Sequence, residues 1–215
     1  MNNYPPLLFW VVCYHNKMSY IIAGLGNPGE EYEQTRHNTG RIMIEAFRKT
    51  HDFPEWKEEK KWKALASKDK VGDEGVVLVE PNNFMNNSGK SIAPLVVSKK
   101  AAEKVVVVYD DIDLPLGTIK VSFNRSSGGH KGLESVITSL KTREFVRVRV
   151  GASPMSAKGV AKKPKGEEKV LKFLLGKYKK DELDELKKVA KKVSAAIDMI
   201  VAEGRERAMG EFNQN

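Results

Sequence analysis

Apolar residues along this chain fall into short runs and alternations, with helical stripes between them. Tyr20–Leu25 is a compact apolar run that predicts a buried strand, and a glycine-rich turn follows it. Trp62–Lys68 alternates apolar and polar positions, as a half-buried strand does. Gly72–Gly75 then supplies a turn into Val76–Glu80, the second arm of a hairpin. Val105–Tyr109, four valines and a tyrosine, predicts a central strand buried on both faces. Thr118–Phe123 is a further strand. In Phe145–Val150, Val146, Val148 and Val150 face one way, and Arg147 and Arg149 the other. That arginine face reads either as solvated surface or as a holder of phosphates.

Helical spacing marks roughly Thr39–Thr50, Ser91–Val97, Leu133–Leu140 and Glu168–Leu175. It is clearest in Asp181–Glu203, where Leu183, Leu186, Ala190, Val193, Ile197 and Ile200 recur at three and four residues. The opposite face of that helix carries Lys187, Lys188, Lys191 and Lys192. Gly151–Lys169 is rich in lysine and poor in apolar residues, which predicts a flexible basic loop. Strands alternating with helices, together with hairpin-like elements, imply one α/β domain: a mixed β-sheet sandwiched by helices. Residues 18–204 hold that domain. Residues 205–215 are expected to be a flexible tail, and residues 1–17 a non-native or flexible extension. Leu7–Tyr14 is apolar, but no positive charge precedes it and no small-residue cleavage site follows. Met18, just before the first strand, is the expected natural start.

Charge narrows the partners. Lys plus Arg number 37 against 28 Asp plus Glu, a net charge of +9, and that excess favours a polyanion such as nucleic acid. Cys13 is the one cysteine. It excludes an internal disulfide framework and points to a reducing compartment, the cytoplasm. No apolar run approaches the ~20 residues needed to span a bilayer.

Candidate chemistry gathers where strands end. Gly24, Gly26 and Gly29 match the G-x-G-x-x-G dinucleotide pattern, but Pro28 removes a backbone N–H from the loop. The segment that should be a strand with an acidic end reads instead as a helix. Asn27 lies in that turn, and His37 opens the helix after it. Asp110, Asp111 and Asp113 close the four-valine strand. Three carboxylates in four residues raise a Mg²⁺ site, but no second acidic cluster supports one, and Asp110 is the favoured functional carboxylate. Pro81–Gly89 (PNNFMNNSG) reads either as a helix-capping loop or as a substrate wall. In the second reading Phe84 and Met85 stack, while Asn86 and its neighbouring amides bond. Asn124–Gly132 (NRSSGGHKG), with Arg125, His130 and Lys131, opens a helix and would suit an anion. His130 itself reads equally as an idle loop residue. A single histidine beside one carboxylate and several amides, with no G-x-S-x-G serine, leaves one chemistry. Water is activated by His37, Asp110 fixes the imidazole, and Asn27 and Asn86 bind the carbonyl or its oxyanion.

Four blocks, GLGNPGEEYEQTRHNTG, PNNFMNNSGKSI, YDDIDLPLGTIKV and SSGGHKGL, resemble the bacterial-type peptidyl-tRNA hydrolase family in order and spacing. The resemblance covers about Met18 to Gly204. It implies a monomeric α/β globule with a twisted mixed sheet and no metal or organic cofactor. The implied reaction cleaves the ester between a peptide and the 3′ end of tRNA, with the acceptor stem bound. Carried over by motif, His37 resembles the catalytic base, Asp110 its supporting carboxylate, and Asn27 the residue that tells blocked from free aminoacyl groups. Tyr32, Phe84 and Asn86 resemble substrate contacts, and Met85 lines the same cleft. Two positions depart from the pattern. Lys131 stands where the family usually has Asn, which leaves it to grip the tRNA 3′ end or to lower the pKa of His37. Ser122 stands where a lysine often helps clamp the tRNA 5′ phosphate, with Lys120 and Arg125 flanking it and Arg149 resembling the clamp's arginine. A non-catalytic RNA-binding relative, splicing-factor-like, is the second reading.

Overall fold

The computed structural model describes residues 19–214; Cys13, Met18 and the N-terminal extension lie outside them. The chain runs β1 (Tyr20–Gly24), α1 (Thr39–Thr50), β2 (Lys57–Glu59), β3 (Ala64–Val71), β4 (Glu74–Pro81), α2 (Ser88–Ile92) and α3 (Lys99–Ala102). It continues through β5 (Val105–Pro115), β6 (Ile119–Phe123), α4 (Lys131–Leu140), β7 (Val146–Ser153), α5 (Glu167–Leu174), α6 (Lys180–Glu203) and α7 (Arg205–Phe212). Single 3₁₀ turns at Glu30–Tyr32, Arg36–Asn38 and Met85–Asn87 carry much of the candidate chemistry.

The seven strands form one mixed sheet ordered β2-β3-β4-β1-β5-β7-β6. Its centre, β4-β1-β5-β7, is parallel, and the β2-β3-β4 meander and the β6–β7 pair add antiparallel edges. Buried parallel strands need cover on both faces, which is why β5 is apolar at every one of its first positions. Val106 and Val108 pack toward α1 and α6 with Phe47, Val193 and Ile197. Val105, Val107 and Tyr109 pack the other way, with Ile92, Leu133 and Val136 from α2 and α4. The chain leaves β1 toward β4 and later returns to lay β5 on its other side. The carboxyl ends of β1 and β5 therefore flank the switch point where α/β sheets bind ligands.

Three expectations change. The segment after Gly204 is helix α7, not a frayed tail. Ala208 is fully buried, Met209 and Phe212 pack on the core, and Arg205 lies over Phe123 at 3.8 Å. Beyond α7, the Asn213 side chain pairs with both backbone groups of Val121, at 2.9 and 2.8 Å, and so covers the free edge of β6. The basic segment from Gly151 is not all loop: its first three residues finish β7, and Met155 bridges Ala161. The wall's helix starts at Ser88 rather than Ser91, and Ala93–Leu95 is a 3₁₀ turn. Among the described residues no helix is long and apolar enough to cross a membrane.

Candidate active site

His37 ends up beside Asp110 because α1 starts almost in contact with the sheet. A Cβ on Gly40 would stand 2.3 Å from the Val108 carbonyl oxygen and 2.4 Å from the Leu25 nitrogen, so only glycine permits this approach. The turn before it is held from outside. Arg36 lies between the rings of Phe173 and Tyr178, donates to both carboxylate oxygens of Glu182 at 2.9 and 2.7 Å, and bonds the Gly176 and Lys177 carbonyls. Thr39 Oγ1 meets the Tyr178 hydroxyl at 2.7 Å. These contacts fasten the His37 turn to the start of α6.

Within the site, His37 Nδ1 lies 3.1 and 3.2 Å from the two oxygens of Asp110. Asp110 is 2% exposed. An ionised carboxylate only accepts, so His37 Nδ1 carries the proton and Nε2 is the free base nitrogen. Nε2 has no hydrogen-bond partner among the described residues, and the side chain keeps 9% of its surface open. Burial works to lower the His37 pKa, but the charge and hydrogen bond of Asp110 outweigh it and raise the group above its ordinary 6.5. Burial likewise works to raise the Asp110 carboxyl. Its two imidazole neighbours prevail and hold it well below the usual carboxylate range.

Asp110 has two histidines, where the sequence reading supplied one. His130 Nε2 approaches Asp110 Oδ1 at 3.3 Å, and the His37 and His130 rings lie 4.9 Å apart. His130 also receives the Leu133 N–H on Nδ1 at 3.1 Å, which makes it the N-cap of α4. That bond assigns its proton to Nε2, facing the carboxylate. Ligand atoms of His37, Asp110 and His130 lie within 4.8 Å of one another, the spacing of a three-ligand metal site. The His130 tautomer does not fit that use, since a ligand nitrogen must be bare and its partner nitrogen normally donates. The aspartate cluster does not converge either. Asp111 takes Arg149 at 2.7 Å and Asp113 takes Lys163, while Asp110 takes the histidines.

Asn27 is buried and tightly held. Its N–H donates to Asn38 Oδ1 at 2.8 Å, its carbonyl accepts from Asn38 Nδ2 at 2.9 Å, and its own Oδ1 accepts the Met85 N–H at 2.8 Å. Nδ2 remains as a donor with no partner among the described residues. Asn38, which the sequence reading passed over, is therefore the residue that sets Asn27. Met85 is buried, Phe84 is 61% exposed, Tyr32 is half-buried and Asn86 is exposed. The Asn86 Oδ1 accepts from Asn87 Nδ2 at 3.3 Å, and its side chain makes no hydrogen bond to His37 or Asp110.

A cavity of about 480 Å³ opens beside Asp110 and His130, lined also by Ser122, Arg125, Arg147 and Arg149. The Arg147–Arg149 face is not simply solvated surface. Arg147 is 1% exposed and donates to the Ser126 and Arg125 carbonyls, pinning the loop that carries His130. Ser122 Oγ and Arg147 Nε are buried without a partner among the described residues. Lys131 points elsewhere: its side chain is 65% exposed and its Nζ lies 4.0 Å from Glu167.

A family model described as peptidyl-tRNA hydrolase matches residues 21–215. The chain belongs to the peptidyl-tRNA hydrolase family. The peptidyl-tRNA hydrolase of Listeria monocytogenes is 40% identical over 195 residues, covering 90% of this chain and 98% of that one. The enzyme of Shouchella clausii is 36% identical over 194 residues, with 90% and 99% covered. The crystal structure of peptidyl-tRNA hydrolase from Acinetobacter baumannii superposes with a TM-score of 0.80 at 26% identity, covering 93% of this chain and 96% of that one. This peptidyl-tRNA hydrolase family member is thus a hydrolase on a single-domain mixed-sheet fold. His130 and Asn38 are the site residues that sequence reading did not assign. Two signals were there for His130: it directly precedes a predicted helix, and it sits inside the SSGGHKGL block.

Proposed function

We propose that the chain cleaves the ester joining a peptide, or another N-blocked aminoacyl group, to the 3′ end of tRNA. His37 Nε2 removes a proton from water as the water oxygen attacks the ester carbonyl. The tetrahedral intermediate then collapses by breaking the bond to the ribose oxygen, which takes the proton back from the imidazolium and leaves as the tRNA hydroxyl. Asp110 holds the imidazole in the required tautomer and stabilises the imidazolium that forms. His130, donating to the same carboxylate, keeps Asp110 ionised and fixed in place. Asn27 Nδ2 binds a carbonyl of the acyl group. A free aminoacyl group lacks the extra carbonyl of a blocked one and leaves a buried donor unpaired, which penalises it. The exposed Phe84 faces the acyl end and the terminal bases, Met85 backs it from the core, and Tyr32 and Asn86 line the rim.

Arg149 and Arg125 take backbone phosphate in the neighbouring cavity, with buried Arg147 adding its charge behind them. The family Asn gives way to Lys131, an exposed cation beside Glu167, suited to the tRNA backbone rather than to orienting water. The enzyme acts as a cytoplasmic monomer that returns tRNA to translation.

The observation that carries this reading is the His37–Asp110 pair, with its donor side toward the carboxylate and its basic nitrogen unpaired. The test follows ester release from an N-acetylated aminoacyl-tRNA by the parent protein and by His37→Ala. Expected is turnover by the parent and its loss in the variant. Binding of RNA without turnover by the parent would favour the non-catalytic relative instead.

A further inference from the structure

Partly buried Arg41 and buried Glu80 form an ion pair that none of the roles above uses. Arg41 stands in the first turn of α1, four residues after His37. Its guanidinium meets Glu80 Oε2 at 2.7 Å and donates to the Pro81 carbonyl at 3.1 Å. Glu80 is 6% exposed, and burial pushes its carboxyl up to about 7 against the pull of Arg41. A pair this deep adds little net stability, because desolvating both charges offsets most of their attraction. Its geometric consequence is the more informative property.

Arg41 touches two segments of the site at once. Its stem lies over Gly26, where a Cβ would stand 2.5 Å from Arg41 Cδ, and its backbone N–H donates to the Leu25 carbonyl at 3.3 Å. Its guanidinium grips the end of β4, where the Pro81–Gly89 wall begins. Asn38, on the same stretch as His37, holds Asn27 by both backbone groups, and Asn27 Oδ1 holds the Met85 N–H. The result is a closed ring of bonds: the His37 stretch to Asn27, Asn27 to Met85, and the wall back to α1 through Pro81 and Arg41. The other ties of the wall run elsewhere. Asn82 N–H and Ser91 Oγ bond the Lys63 carbonyl, and Gly89 N–H bonds Ser135 Oγ. Among the described residues, Arg41 supplies the hydrogen bond from α1 to the start of the wall, whose Pro81 also sits beside Ala64 in the sheet.

We infer that Arg41, oriented by Glu80, is a positioning residue that sets the spacing between the Asn27 amide and the Met85 wall, and through it the recognition of the acyl group. This rests on the reading that Asn27 and the Phe84 side of the wall meet the substrate. Without Arg41 the His37–Asp110 pair stays in place while the wall shifts against it. Substrate binding and the preference for N-blocked substrates then suffer more than turnover. A displacement on the order of 1 Å at such a distance costs up to ~10²-fold.

The test uses Arg41→Met, which keeps the stem over Gly26 but removes both polar bonds, and Arg41→Met with Glu80→Leu, which also removes the orphaned carboxylate. KM and kcat are measured on N-acetylated and free aminoacyl-tRNA, with melting temperature and hydrogen exchange across residues 81–87. Expected in both variants is a KM raised about tenfold, a smaller change in kcat and a reduced preference for the blocked substrate. Residues 81–87 should exchange faster, and the double variant should melt close to the parent. If the double variant recovers KM together with its melting temperature, the pair is merely structural and the inference is overturned. It is equally overturned if Arg41→Met leaves KM and exchange as in the parent. Should the parent itself fail to cleave, the functional reading falls but exchange still decides: faster exchange confined to residues 81–87 supports positioning, and unchanged exchange sinks it.

Discussion

At the scale of single residues, the site is governed by which nitrogen carries a proton. His37 acts as a base only when neutral, and Asp110 raises its pKa above 6.5 against the opposing effect of burial. Cleavage is therefore expected to rise with pH through a value above 6.5 and then level off. In Asp110→Asn the cause of the rise is gone while burial remains. The acid limb should move to lower pH, and the plateau should fall by about 10²–10⁴-fold as the tautomer is no longer enforced. A profile of kcat/KM against pH checks both; an unmoved limb would contradict the assignment of His37 as base. Lys131 carries a separate expectation. Its ammonium is exposed and only donates, whereas an asparagine at this N-terminal position of α4 both donates and accepts. Lys131→Asn is expected to release peptide faster, by about 3–10-fold in kcat. Slower release would show that the lysine serves the substrate directly.

At the scale of elements, the central strands were legible because a strand buried on both faces must be apolar at every position, and Val105–Tyr109 is. The α6 stripe was legible because one face of a long helix repeats. What the pattern missed is short or only locally apolar. Lys57–Glu59 buries no apolar side chain and joins the sheet through backbone bonds and the exposed Glu59–Lys68 pair, and α7 buries Ala208 with help from Met209 and Phe212 inside an otherwise charged RERAMGEF. The meeting of His37 and Asp110 was readable because one opens the helix after β1 and the other lies in β5 beside it. Asn38 and the Arg41–Glu80 pair were not, since no periodicity connects them to their partners, and for His130 the sequence offered a place before a helix but not its partner Asp110. The α7 region makes a testable element. Asn213 replaces the missing neighbour of edge strand β6 by pairing with Val121 N–H and carbonyl. Asn213→Ala removes two part-buried bonds and should cost about 1–2 kcal/mol. For a chain of this size that is a drop of roughly 2–8 °C in melting temperature. A thermal melt checks it, and an unchanged midpoint would mean that water serves the edge equally well.

Over the whole molecule, the net charge of +9 is less available than the count implies. Lys187 and Lys188 pair with Asp184 and Glu185 on their own helix, and Lys192 bonds the Gly117 carbonyl. The cavity next to Asp110 gathers cationic and polar side chains, Arg125, Arg147, Arg149 and Ser122 among them. Asp111 holds Arg149 at 2.7 Å, so a phosphate arriving there meets a guanidinium already oriented but half neutralised. Arg149→Ala therefore does two things: it removes a cation and bares a carboxylate toward the incoming anion. Binding is best measured in a His37→Ala background, with N-acetylated aminoacyl-tRNA, from about 50 to 200 mM salt. Arg149→Ala should weaken binding about tenfold or more, and the slope of log affinity against log salt should fall by about one. Adding Asp111→Asn should recover part of the affinity, because the repelling carboxylate is gone, but none of the slope, because no cation returns. A parent affinity that is flat across that salt range would exclude a phosphate-holding cavity. Recovery of the slope by Asp111→Asn alone would move the contact from Arg149 to another cation.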